Sequence, residues 1–144
     1  MELLNESLMA LDIDLPSKLS VIEKIADILE KPGRVIDRQQ YIKDVVEREE
    51  IISTYVGDLI AIPHARSCAV TYASLVYLRL NKPVDWNSSE KAQYIFGIAV
   101  PADNIGNSHL TILSSIARKL LDDKIRATFF NSNSKGAIIA ALLS

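Results

Sequence analysis

The sequence predicts an α/β fold: a single domain, 1–144, with a central mixed β-sheet flanked by α-helices on both sides. Three observations predict it. Ile22, Ile25, Ala26 and Leu29 recur with the spacing of one helix face. Gln93 to Val100 is a nearly continuous apolar run, as in a strand covered on both faces. Helical and strand-like segments alternate without a repeat, low-complexity stretch or linker, so the helices must share one sheet. A chain of 144 residues, 49% hydrophobic and 24% charged, can bury a core without disulfides or metals.

The first helix carries that apolar face. Ser17 or Ser20 can cap it, Ser20 with Glu23 has capping-box spacing, and Pro32-Gly33 ends it. A second helix starts at Asp37 with Tyr41, Ile42, Val45 and Val46 inward. Arg48 falls near that stripe at the helix C-terminus, where a cation suits the macrodipole. Glu47, Glu49 and Glu50 read as a solvated face. Gly57-Asp58 opens a short strand, 59–62, stopped by Pro63 and followed at once by His64. Residues 69–80 read as a strand, Asn81-Lys82-Pro83 as a turn, and 93–100 as a strand ended by Pro101. Trp86 is expected to pack over a sheet edge. The clearest helix spans 108–122, capped by Ser108, with Leu110, Leu113, Ala117 and Leu120 as its buried stripe. Short helices at 123–130 and 135–143 close the chain. Cys68, the one cysteine, can form no intrachain disulfide and reads as a small, half-buried hydrophobe.

The net charge is −2 with no dense basic cluster, so no nucleic-acid partner is expected. No apolar run approaches the roughly 18–20 residues of a membrane span. The start, Met-Glu-Leu-Leu-Asn-Glu, lacks the basic and apolar regions of a signal peptide. The expectation is a cytoplasmic protein without membrane insertion of its own. There is no glycine-rich phosphate loop and no nucleophile elbow. Two histidines far apart and one distant cysteine do not make a zinc cluster, so neither metal nor organic cofactor is expected.

Both histidines stand at element ends: His64 after a strand and a proline, His109 in the first turn of a helix. Ligands of α/β sheets gather at such places. If the two strands run the same way, the imidazoles share a rim. An imidazole can act as a nucleophile, and phosphoryl transfer asks mainly for positioning and charge stabilisation. Arg48 offers a guanidinium suited to phosphate oxygens, and Ser53 and Thr54 supply hydroxyls nearby in sequence. Each residue also has an ordinary reading: a surface histidine, a helix cap, a solvated charge. The residues by themselves lead to an anion or phosphoryl site and no further.

Arg48-Glu49-Glu50, Ser53-Thr54, Gly57 and Ala61-Ile62-Pro63-His64 together resemble the signature of type 2 enzyme IIA domains of the bacterial sugar phosphotransferase system, fructose/mannitol group. The similarity continues through Val70, Pro83-Val84-Asp85-Trp86, Phe96 to Val100, and His109-Leu110 with Leu113, and so covers nearly the whole chain. The resemblance implies a mixed sheet flanked by helices and a phosphotransferase without a cofactor. It implies that His64 takes a phosphoryl group from phospho-HPr and passes it to a cysteine of an EIIB component. It implies that Arg48 assists the phosphoryl group, that His109 is the second active-site histidine, and that Thr54 is a hydroxyl near the site. The segments Thr54 to Gly57 and Phe96 to Ala99 lean towards mannitol. The alternative is a regulatory EIIA-like protein of the nitrogen-related type, whose phosphorylation state controls binding to target proteins. Two positions depart from the pattern. Ala65 stands where the family usually has glycine, which restricts the backbone if that glycine serves a positive φ. Asp58-Leu59 replaces Asn/Glu-Gly. Neither removes a reactive group.

Overall fold

The computed structural model describes residues 2–103 and 108–143, with the backbone alone at 108–110. After a 3-10 turn at Glu6–Leu8 the chain runs through β1 (Met9–Ile13), α1 (Lys18–Glu30), α2 (Arg38–Ile51), β2 (Tyr55–Gly57), β3 (Ile60–Ala61), β4 (His64–Ser67), β5 (Ser74–Asp85), β6 (Lys91–Pro101), α3 (Ser108–Leu120), α4 (Asp123–Asn131) and α5 (Lys135–Leu143). Among the described residues the sheet has six strands in the order β1-β5-β6-β3-β2, with β4 also on β6. β5 and β6 are antiparallel, β1 runs parallel to β5, and β3 and β4 both run parallel to β6. The sheet is therefore mixed.

Alternation along the strands separates two faces. Tyr77 and Phe96 are register partners with rings 4.9 Å apart. Phe129 of α4 meets both, at 5.9 and 5.2 Å, and its carbonyl accepts the Tyr77 hydroxyl at 2.7 Å. On the other face, a Cβ at Gly97 would lie 2.7 Å from Cδ1 of Ile25, so α1 rests directly on β6 there. Helices thus cover both faces, as the sequence predicts. Tyr41 ties α2 to the same strand: its buried hydroxyl donates to the Ile98 carbonyl at 3.2 Å, and burial pushes the phenol up, so it stays a donor.

Several elements differ from the sequence reading. Ser17, with Ser20 reciprocating, caps α1, and Ser20 with Glu23 does not. β1 lies in a stretch whose sequence pattern marks no strand, and Asp12 within it has φ 57°. Residues 68–73 turn before β5 begins at Ser74. Asn81-Lys82-Pro83 is not a turn: β5 continues to Asp85, and a register irregularity between Arg79 and Val84 accommodates a proline that cannot donate. The hairpin turns instead at 86–90, where Trp86 N–H donates to Glu90 O at 2.9 Å. Cys68 is exposed in the turn after β4. In α3 the inward residues are Ile116 and Leu120, with Ile112 and Leu113 half-buried, while Ala117 is exposed. The Ser108 cap and the Leu110 side chain lie outside the described residues.

Arg79 secures β1 from inside. It donates to both Asp12 oxygens, at 2.9 and 3.1 Å, and to the Ser132 carbonyl at 2.7 Å. That hydrogen bond holds the Asp12 carboxyl below its usual range. The stabilisation is then complete above the ordinary carboxylate pKa and fades as pH falls through the lowered value. Asp12→Asn is expected to cost less than about 1 kcal/mol at neutral pH. The difference from wild type narrows on acidification below pH ~4, which urea titrations across pH would measure. Gly97→Val, which drives methyls into Ile25, is expected to lower unfolding free energy by about 1–3 kcal/mol in the same assay.

Candidate functional site

β4 sets the site. Along His64–Ser67 exposure alternates: Ala65 and Ser67 are buried, while His64 is half-buried and Arg66 exposed on the other side. Nδ1 of His64 lies 2.7 Å from the Ile62 carbonyl oxygen. A carbonyl can only accept, so Nδ1 carries the proton and the lone pair sits on Nε2. The backbone flanking Pro63 is pinned on both sides. Ile62 N–H donates to Thr54 O at 3.1 Å, and Ile98 N–H donates to Pro63 O at 3.0 Å. Pro63 therefore interrupts the strand without ending it: β3 stops at Ala61, and pairing with β6 resumes at His64.

Before it, β2 and β3 form a hairpin whose two turn residues, Asp58 and Leu59, have φ of 53° and 67°. Two consecutive positive φ values match a type I′ turn. Leucine is strained there, so Leu59 is where a glycine would relieve the backbone. Ala65, by contrast, lies within β4 and is not among the residues of positive φ, so alanine in place of glycine restricts nothing.

α2 supplies the facing wall. Asp44, Glu47, Arg48 and Ile51 lie along one side of that helix. With His64, Ala65 and Arg66 they line a depression of about 350 Å³. Arg48 is half-buried, and one guanidinium N–H donates to the Ile52 carbonyl at 2.9 Å, satisfying an orphan acceptor at the helix end. The structure thus brings His64 and Arg48 to one hollow. His109 stands in the first turn of α3, the helix that follows β6. β3, which precedes His64, and β6, which precedes α3, are parallel, so the condition for a shared rim is met in the backbone; the His109 side chain lies outside the described residues.

The family model for the phosphoenolpyruvate-dependent sugar phosphotransferase system, EIIA 2, matches residues 2–144. The chain belongs to this family. Among its relatives, the fructose-specific EIIABC component of Bacillus subtilis (strain 168) is 34% identical over 96% of this chain and 22% of that protein. The chain spans about a fifth of that relative's length. The fructose-specific EIIA component of Haloferax volcanii is 33% identical over 85% of this chain and 80% of that protein. The crystal structure of the nitrogen regulatory protein IIA-Ntr from Neisseria meningitidis superposes with a TM-score of 0.87 at 28% identity, covering 97% of this chain and 96% of that one.

Thr54 of this EIIA domain does not line the hollow. Its hydroxyl and N–H both donate to the Glu49 carboxylate, at 2.7 and 2.8 Å. The buried Trp86 indole adds a third bond at 2.9 Å, and the Lys18 ammonium lies 3.7 Å away. Glu49 is thus a buried, fully engaged carboxylate and not part of a solvated face. The apolar stripe of α2 passes close to it, and it pairs with donors five and 37 positions on. Nothing in local periodicity marks it; its one signal was its place beside Arg48 in the EIIA signature. Ser53 accepts from Tyr55 N–H at 3.2 Å at the start of β2. Glu49→Ala strands two side-chain donors and one N–H, so a loss of about 3–5 kcal/mol in urea unfolding is expected. Thr54→Val removes one bond to a charged acceptor and is expected to cost about 1.5–3 kcal/mol.

Proposed function

We propose that this EIIA domain is a phosphocarrier of the sugar phosphotransferase system, loaded on Nε2 of His64. The observation that carries the reading is the Nδ1–H bond to the Ile62 carbonyl, which fixes the tautomer of a histidine that lines one hollow with Arg48. The donor is phospho-HPr, and the acceptor is a cysteine of an EIIB component. The B. subtilis relative's name unites A, B and C components in one chain, which supports an EIIB acceptor.

In the first step the Nε2 lone pair attacks phosphorus. The donor's N–P bond breaks with its electron pair returning to the donor ring, and a new N–P bond forms on His64. The proton stays on Nδ1, where the Ile62 carbonyl stabilises the positive ring. In the second step an EIIB thiolate attacks, an S–P bond forms, and the electron pair returns to Nε2. No proton need cross the site in either step. Arg48 offsets charge on the phosphoryl oxygens. His109, by its place in the family signature, is the second imidazole. Thr54 is a positioning residue: its carbonyl holds Ile62 N–H, and Glu49 holds Thr54.

Ile51, Ile52 and Val56, which are 80%, 66% and 54% exposed, form an apolar margin at the end of α2 and the start of β2 that suits brief docking. Among the described residues no helix is long and apolar enough to cross a membrane. The proposed place of work is the cytoplasm, acting on a membrane component through EIIB. Both named sequence relatives are fructose-specific, so fructose or a related sugar is proposed over mannitol. The likeness to IIA-Ntr favours one second reading, regulation of target proteins through the same phosphohistidine.

Labelling with radioactive phosphoenolpyruvate, enzyme I and HPr is expected to place acid-labile phosphate on wild type and none on His64→Ala. Arg48→Ala is expected to load roughly tenfold or more slowly, with Arg48→Lys recovering part of the rate. Equal labelling of His64→Ala would sink the proposal. Labelled protein that passes nothing to EIIB would move the regulatory reading ahead.

A further inference from the structure

We propose that Arg66 is a second phosphoryl-binding guanidinium, a catalytic residue acting with Arg48 on the group that His64 carries; this rests on the phosphocarrier reading above. His64 and Arg66 are residues i and i+2 of β4 and project to the same side. Their Cα atoms are then separated by about 6.5 Å, a distance an arginine side chain spans. Both line the hollow that Arg48 lines from α2, so two guanidinium-bearing residues on two elements share it with His64.

Arg66 is also anchored. Its Nε–H donates to the Ala102 carbonyl, just after β6, at 3.2 Å. That bond holds Nε beside the segment that follows β6.

The charges of the hollow argue for this role. Asp44 and Glu47 line it with Arg48 and Arg66. Asp44 accepts from Gln40 at 2.9 Å, and Glu47 faces Lys43 at 4.0 Å along the exposed side of α2. Among the described lining residues, two carboxylates stand against two guanidiniums. Without Arg66, the described lining residues set Arg48 against two carboxylates, with Lys43 beside one of them, while receiving a phosphoryl dianion. Among the described residues, Arg48 and Lys43 at most offset the two carboxylates, and Arg66 adds a further lining cation for the incoming group. In the loading step the N–P bond forms on Nε2 as the donor's breaks, and Arg66 meets the phosphoryl oxygens as they swing onto His64.

The test compares wild type with Arg66→Ala, Arg66→Gln and Arg66→Lys, using phospho-HPr as donor. The expected result is loading slowed roughly tenfold or more in Arg66→Ala and Arg66→Gln, with partial recovery in Arg66→Lys, which keeps the charge but not the fork. Glutamine retains an N–H donor, so a role limited to holding Ala102 would spare that variant. The second readout is the phosphorus NMR titration of the loaded protein. A guanidinium in contact favours the dianion, so its removal is expected to raise the midpoint of the phosphoryl group. Loading within twofold of wild type with an unmoved midpoint would overturn the role of Arg66 alone. An unlabelled wild type would overturn the carrier reading and this role with it.

Discussion

A proline cannot donate to a sheet ladder, so the strand alongside β6 must break at Pro63. The site depends on how that break is bridged. The Thr54 carbonyl takes up Ile62 N–H on one side, and the Pro63 carbonyl receives Ile98 N–H on the other. The chain therefore resumes pairing one residue later, at His64, in register with Ile98. The Ile62 carbonyl, no longer part of the ladder, is within reach of the imidazole two residues on. A missing backbone donor thus becomes the means by which a histidine's tautomer is chosen.

The end of α2 holds two opposite tasks in adjacent residues. Arg48 turns to the hollow and caps the helix at Ile52. Glu49 turns inward to gather Thr54, Trp86 and Lys18. Successive helix positions differ by about 100°, so neighbours naturally serve different faces. The inward carboxylate fixes Thr54, Thr54 fixes Ile62, and Ile62 fixes His64. The stability of this interior cluster and the geometry of the exposed site are one chain of contacts.

The architecture was legible where periodicity was strong. The faces of α1 and α2 and the apolar run of β6 were evident because burial on one or both sides leaves a pattern in composition. β1 was not evident, since Asp12 interrupts it and its partner Arg79 lies 67 positions away. Pro83 misled because a strand can tolerate proline where its register slips. His64 and Arg48 were named from element ends and then from the EIIA signature, and the structure lines one hollow with both. Thr54 was named as a hydroxyl near the reacting group, yet its hydroxyl serves Glu49. Long-range pairing of buried polar groups is invisible to local pattern, and that is where the reading of Glu49 failed.

The imidazole of His64 commits one nitrogen to its own backbone and keeps only the other for a phosphoryl group. On the proposed role of His64, a carrier built this way has a single door. The proposed donor and acceptor would then occupy the same approach in turn, and no complex of all three proteins would form around the group in transit. Traffic then obeys queueing: an abundant empty acceptor delays reloading as surely as a scarce donor does. The ratio of the two partners sets the fraction of carrier that stands loaded.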